Sequence, residues 1–119
     1  MIRGFFDEND EPLVPTALLL KNKPVHFKAV LDTGFNDYLS VPESVVQRSG
    51  WCFAGYEEYE IATGDRVREG VYLGEVIFDR QRLITHAVTS RAEDILIGTR
   101  LLSDKTLRMD FKKRTVWIR

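Results

Sequence analysis

Short β-favouring runs separated by polar turn clusters dominate this chain. Ile2 to Phe6 and Leu13 to Leu20 are two such runs, parted by Asp7-Glu8-Asn9-Asp10-Glu11-Pro12. Pro15 inside the second run predicts a bulge or an edge position, because proline has no N–H to give to a ladder. Lys21-Asn22-Lys23-Pro24 reads as the next turn and feeds Val25 to Leu31. That run alternates at first and is apolar throughout at its end, the pattern of a half-buried strand that becomes fully buried. Tyr38 to Val41 reads as a short strand, and Pro42 to Gly50 carries helix punctuation, with Pro and Glu in the first turn and Gly past the end. Tyr56 to Phe78 predicts a long hairpin broken at Ala62-Thr63-Gly64-Asp65, where Gly64 supplies the positive φ of a tight turn. A turn at Asp79 to Arg82 leads to a strand from Leu83 to Val88. Gly98 to Ser103 predicts a short helix, and Leu107 to Phe111 and Val116 to Ile118 close the chain as a hairpin across Lys112-Lys113-Arg114. The sum is an all-β chain with two short helices, the makings of a small closed barrel.

Composition narrows the class without deciding the function. A chain of 119 residues fits one domain, 1–119, with no linker, repeat or low-complexity segment. Apolar residues at 44% and charged ones at 29% suit a folded protein with one modest core. The 17 basic and 18 acidic residues are well mixed along the chain, for a net charge of −1, which argues against a nucleic-acid surface. Cys52 is the sole cysteine, so no intrachain disulfide forms, in keeping with a reducing compartment. The first residues meet Asp7 and Glu8 at once and do not read as a signal peptide, and the longest apolar runs are far below membrane-spanning length. The expectation is a cytoplasmic protein without a membrane partner.

The candidate chemistry sits at the end of the run Phe27-Lys28-Ala29-Val30-Leu31, where Asp32-Thr33-Gly34 places a carboxylate, a hydroxyl and a residue without a side chain in succession. Alone, this triplet is a turn. Its companion is Ile95-Leu96-Ile97-Gly98, a second apolar run ending in Gly ahead of a short helix. His26 and His86 have no ligand-spaced partners and predict surface or partly buried structural roles, not a metal site. Cys52 has no base beside it in sequence and predicts an inert thiol. Trp51 and Trp117 read as packing residues, with an interface as the alternative for Trp117. Glu57, Glu58 and Glu60 beside Tyr56 and Tyr59 read as the wet face of a strand, and Lys112-Lys113-Arg114 as a solvated turn.

Together, the apolar strand into DTG, the flap-like turn at Gly64 and the later apolar-apolar-Gly resemble the retropepsin-like aspartic proteases, most closely small prokaryotic members with DTG followed by Phe. The resemblance runs from about Leu13 to Ile118 and includes Arg108-Met109-Asp110-Phe111 after the second helix. It implies a small closed barrel of the acid protease type and an aspartic endopeptidase acting on peptide or protein substrates, with no metal and no cofactor. Two carboxyl groups share one proton in such enzymes, one as base toward water and the other as acid toward the carbonyl oxygen. This chain has a single DTG, so the second Asp32 must come from a second copy, and a homodimer is implied. The resemblance assigns catalysis to Asp32, Thr33 and Gly34, with the Thr33 hydroxyl bracing the two motif loops and Gly34 admitting substrate backbone. It assigns substrate contact to Phe35, Asn36, Ala62, Thr63 and Gly64, the last three in a flap, and sets Leu96-Ile97 beneath the DTG loop. Phe35 stands where Ala or Ser is commoner, offers no hydroxyl and narrows the cleft. Asn36 replaces an acidic or hydroxyl residue, and Thr99 replaces an arginine that viral members often carry. A catalytically idle dimer that binds peptides is the competing reading. A ligand- or RNA-binding β-barrel is a weaker third, since no basic-aromatic strand face is visible in the sequence.

Overall fold

The computed structural model describes residues 1–119, and its architecture follows from where the chain turns. The strands are β1 (Ile2–Phe6), β2 (Pro12–Leu20), β3 (Lys23–Leu31), β4 (Leu39–Pro42), β5 (Cys52–Glu60), β6 (Arg66–Phe78), β7 (Gln81–Ser90), β8 (Leu96–Ile97), β9 (Leu107–Asp110) and β10 (Thr115–Ile118). The helical elements are α1 (Glu43–Gln47) and a 3-10 helix at Thr99–Leu102. Two hairpins close through pairs of residues with positive φ, Lys21 and Asn22 between β2 and β3, and Asp79 and Arg80 between β6 and β7. Positive φ at both central residues is the type I′ geometry, whose twist matches the flanking strands. Both turns are therefore tighter than the four-residue turns expected from sequence, and Pro24 pairs with Leu19 inside the ladder.

The expected helix over 42–50 shrinks to α1. Pro42 stays extended at its N-cap, and the chain leaves through Gly50 at φ +73. The long hairpin begins earlier than expected, at Cys52, because a bulge between Phe53 and Gly55 lets β5 follow β6 back toward α1. Pro15 lies opposite Lys28, at the stretch where the other side of β2 passes from β1 to β6. Its missing donor falls in a locally unpaired region, consistent with the expected edge position.

All ten strands belong to one hydrogen-bonded sheet, in the order β5-β6-β7-β4-β8-β3-β2-β1-β10-β9. Strand β6 also pairs with β2 through Ala17↔Ile77 and Leu18↔Val76, so that β6, β7, β4, β8, β3 and β2 run round in a ring. The expected closed barrel takes this form, with one narrow seam. Beyond the ring, β1, β10 and β9 continue from β2 as a terminal ribbon. Val14, Leu18, Leu39, Val41, Val76, Phe78, Ile97, Val116 and Ile118 fill the interior. Trp51 packs there as expected, its indole N–H donating to the Leu19 carbonyl at 2.8 Å. No helix is long and apolar enough to cross a membrane.

Candidate active site

The last three residues of β3, Ala29, Val30 and Leu31, are all buried, and the chain emerges at a half-buried Asp32. Strand β8 lies parallel to β3, with Val30 opposite Leu96 and Leu31 opposite Ile97, and antiparallel to β4 on its other side. The crossing predicted beneath the DTG loop is therefore present. The Asp32 N–H donates to the Ile97 carbonyl at 3.0 Å.

The loop from Asp32 to Tyr38 is stitched to the segment after β8. The Gly98, Thr99 and Arg100 N–H groups donate to the carbonyls of Tyr38 (3.0 Å), Phe35 (2.9 Å) and Asp37 (3.2 Å). The Thr99 hydroxyl adds a contact of 3.4 Å to the Phe35 carbonyl. Approach is so close that a Cβ at Gly98 would run into the carbonyl oxygens of Asp37 and Phe35. This is the physical reason for glycine at the end of the companion run. Within the loop, the Gly34 N–H donates to Asp32 Oδ1 at 3.0 Å and the Phe35 N–H to the Asp32 carbonyl at 3.1 Å. One carboxylate oxygen is thus oriented by its own loop. Thr33 and Gly34 are exposed at the surface beside it.

Next to this loop opens a cavity of about 680 Å³. Phe35, Asn36 and Asp37 line its near end, with Ser40, Leu96 and Arg100. Val71, His86 and Val88 of β6 and β7 form its floor, and Ala54, Tyr56, Glu57 and Tyr59 reach it from β5. The volume lies in the range of small-ligand and peptide side-chain sites. Asp32, Thr33 and Gly34 do not line it, and neither do Ala62, Thr63 and Gly64. These last three form the tip of the β5–β6 hairpin, as predicted. The tip is held by Ile61 N–H to the Asp65 carbonyl and Gly64 N–H to the Ile61 carbonyl, both 2.9 Å, with Gly64 at φ +87.

The cavity-lining residues of the hairpin are therefore in its arm, which the sequence reading took for a wet strand face. That strand is exposed, but Tyr56, Glu57 and Tyr59, from both of its faces, reach the cavity. Glu57 stands opposite Glu69 and Tyr59 opposite Val67. Burial pushes the Tyr59 phenol up from its ordinary value, and the Glu69 and Glu57 carboxylates push it further. No local signal marks Glu57 and Tyr59, because only the pairing of β5 with β6 brings this exposed strand to the cavity. His86, expected in a surface or partly buried structural role, is exposed, and it also lines the cavity. Arg100 enters only through the fold of the 3-10 helix.

No protein-family model matches the chain, and no curated protein matches it in sequence. Solved structures do. A retropepsin-like aspartic protease from Rickettsia conorii superposes with a TM-score of 0.66 at 15% identity, covering 96% of this chain and 86% of that one. The simian foamy virus (mac) protease superposes with a TM-score of 0.57 at 17% identity, covering 75% of this chain and 91% of that one. At such identities the likeness is one of fold. The parallel β3–β8 crossing under an Asp-Thr-Gly loop, the overhanging hairpin and these superpositions agree, and the chain has the retropepsin-like fold.

Proposed function

We propose that this chain is one subunit of a homodimeric aspartic endopeptidase, with Asp32 of each copy supplying one carboxyl to a shared site. The observation that carries this reading is the Asp32 loop. A half-buried carboxylate ends a core strand, is oriented by the Gly34 N–H at 3.0 Å and is fastened to the Ile97–Arg100 segment, beside a cavity overhung by a hairpin. Nothing in a hairpin turn of ordinary use requires so many constraints on one exposed loop. Each subunit offers a single such carboxylate, and water activation with carbonyl protonation takes two. The exposed Thr33 and Gly34 leave that side of the loop free to meet its symmetry mate. Substrate would lie along the cavity, between Phe35 and Asn36 on one side and the β5 arm on the other. Ala62, Thr63 and Gly64 act at the tip as the closing end of a lid.

Wild-type protein is expected to cleave members of a peptide library best at acidic to mildly acidic pH, because the pair must hold one proton. Asp32→Asn keeps the shape of the side chain and removes the base and the shared proton, so cleavage is expected to collapse with folding and dimerisation intact. The two proteins are compared side by side between about pH 4 and pH 7, a window across which such a pair loses its shared proton. Cleavage surviving in the Asn variant would falsify the aspartic mechanism. Phe35, which lines the cavity where a small or hydroxyl residue is commoner, favours the second reading, a dimer that binds peptides without turnover. Retained peptide binding with no cleavage by either protein decides for it.

A further inference from the structure

Outside the cleft, the outer face of the terminal ribbon gathers charge of one sign. Arg3 of β1 stands opposite Trp117 of β10, which stands opposite Arg108 of β9, so the three side chains share one face. Phe5 points the same way, while Ile2, Phe6, Val116 and Ile118 turn into the core. Lys28 of β3 sets its ammonium 5.3 Å from the centre of the Phe5 ring, and the Arg119 guanidinium lies 5.1 Å from that of Trp117. Arg3, Lys28, Arg108 and Arg119 are all exposed. None of them forms an ion pair; the five in the molecule use the Met1 ammonium, Arg66, Arg82, Lys105 and Arg114. Two carboxylates lie along this face or at its end: Asp110, half-buried, accepts the Lys113 N–H at 2.9 Å, and Asp7, just beyond β1, accepts the Asn9 and Glu11 N–H groups at 2.9 and 3.0 Å.

We propose that this face binds single-stranded nucleic acid, with phosphates on the four cations and bases against the guanidinium planes and the open edges of Phe5 and Trp117. The folded register separates charges that are mixed along the chain, and a polyanion is the complementary partner. The surface is an antiparallel ribbon of β2, β1, β10 and β9, about 15 Å across at ordinary strand spacing. It offers no element that protrudes into a duplex groove. Phe5 and Trp117 each lie under a cation instead of projecting past it, so the ribbon is poorly made for insertion into a bilayer. Aromatic and arginine planes beside phosphate-binding cations form a stacking platform for unpaired bases, which an acidic peptide would not use. The inference is independent of the peptidase reading.

The test is fluorescence anisotropy of the intact protein with a labelled oligo(dT) of about fifteen nucleotides, a length that spans one such platform. Four phosphate contacts predict a slope of log affinity against log salt of about −3, or roughly a fifty-fold loss between about 50 and 200 mM salt. Trp51 is buried, so quenching of the tryptophan emission on binding is expected to report Trp117. Arg3→Gln/Lys28→Gln/Arg108→Gln is expected to lose binding at least tenfold, and Arg108→Glu alone, on an exposed edge strand, severalfold. Arg48→Gln, a cation away from the ribbon, and Asp32→Asn are expected to bind as wild type does. The proposal is overturned by absence of binding at low salt, by binding that the ribbon variants leave unchanged, or by equal affinity for duplex DNA. Equal binding of polyglutamate or of anionic phosphatidylserine vesicles overturns it as well.

Discussion

Two residues carry consequences out of proportion to their size. Gly98 has no room for a Cβ against the Asp37 and Phe35 carbonyls, so Gly98→Ala must push the Asp32 loop away from β8. The expected cost is about 1–3 kcal/mol, as for overpacking a tight site, together with a larger loss of peptidase activity, because the loop orients the carboxylate. Denaturant unfolding alongside peptide cleavage measures both, and a variant with wild-type stability and rate would mean the loop is not held as described. Asp79 acts at a distance from the site. Its carboxylate accepts from the Met1 ammonium at 2.8 Å and from Lys105 at 3.3 Å, and these hydrogen bonds hold its pKa below the ordinary 3.8 against the opposing effect of burial. A lowered folded pKa gives stability that is present above the ordinary carboxylate value and lost as pH falls through the folded one. Asp79→Asn is therefore expected to lower the melting temperature at neutral pH, with the gap closing in acid below the ordinary value. A gap of constant size across that range would show that the ion pairs are not its source. At this scale the sequence was informative about where Asp32, Gly34, Gly64 and Gly98 stand: at a strand end, in its loop, at a hairpin tip and pressed against that loop. It was uninformative about Asp79, whose partners lie 78 and 26 residues away.

Among the elements, strands announced by alternation or by long apolar runs were legible and their joins were not. β1, β2, β3 and the β5–β6 hairpin stand close to where the pattern puts them. The Asp79-Arg80 turn contains neither Gly nor Asn, yet takes positive φ at both positions, because the antiparallel register from Val71↔Val88 to Phe78↔Gln81 leaves two residues to reverse direction. The pairing of β2 with β6 that closes the ring depends on tertiary packing, and no local signal marks it. Glu57 and Tyr59 were hidden in the same way, because β5 is exposed by itself and only its pairing with β6 brings it to the cavity. The hairpin tip itself was readable from Gly64. Gly64→Val forces a β-branched residue to φ +87, at about 1–2 kcal/mol of local backbone cost. The tip is exposed and makes no core contact, so the ring is expected to stay folded while kcat/KM for peptide cleavage falls. Normal turnover with unchanged KM would show that the tip is not part of a lid.

For the molecule as a whole, the fold was legible and the distribution of charge was not, since 17 basic and 18 acidic residues reveal nothing of which face each will occupy until strands are in register. The proposed assembly is a different matter, because it rests on a count: one Asp-Thr-Gly per chain against the two carboxyls that the proposed reaction takes. If each site draws Asp32 from both copies, activity per chain is expected to fall in proportion to concentration once dilution passes below the dimer dissociation constant, by mass action. A mixing experiment separates this from simple loss of protein. Asp32→Asn chains that exchange freely with wild type make mixed dimers holding a single carboxyl, so a ninefold excess of the variant is expected to cut activity per wild-type chain about tenfold. Sedimentation of the same mixtures establishes that the total dimer is unchanged. Were the wild-type chains to keep their full activity in that excess, with exchange demonstrated, the second acid would have to lie within the same chain. The carboxylates nearest the cleft, Asp37 and Glu57, would then be the first to replace.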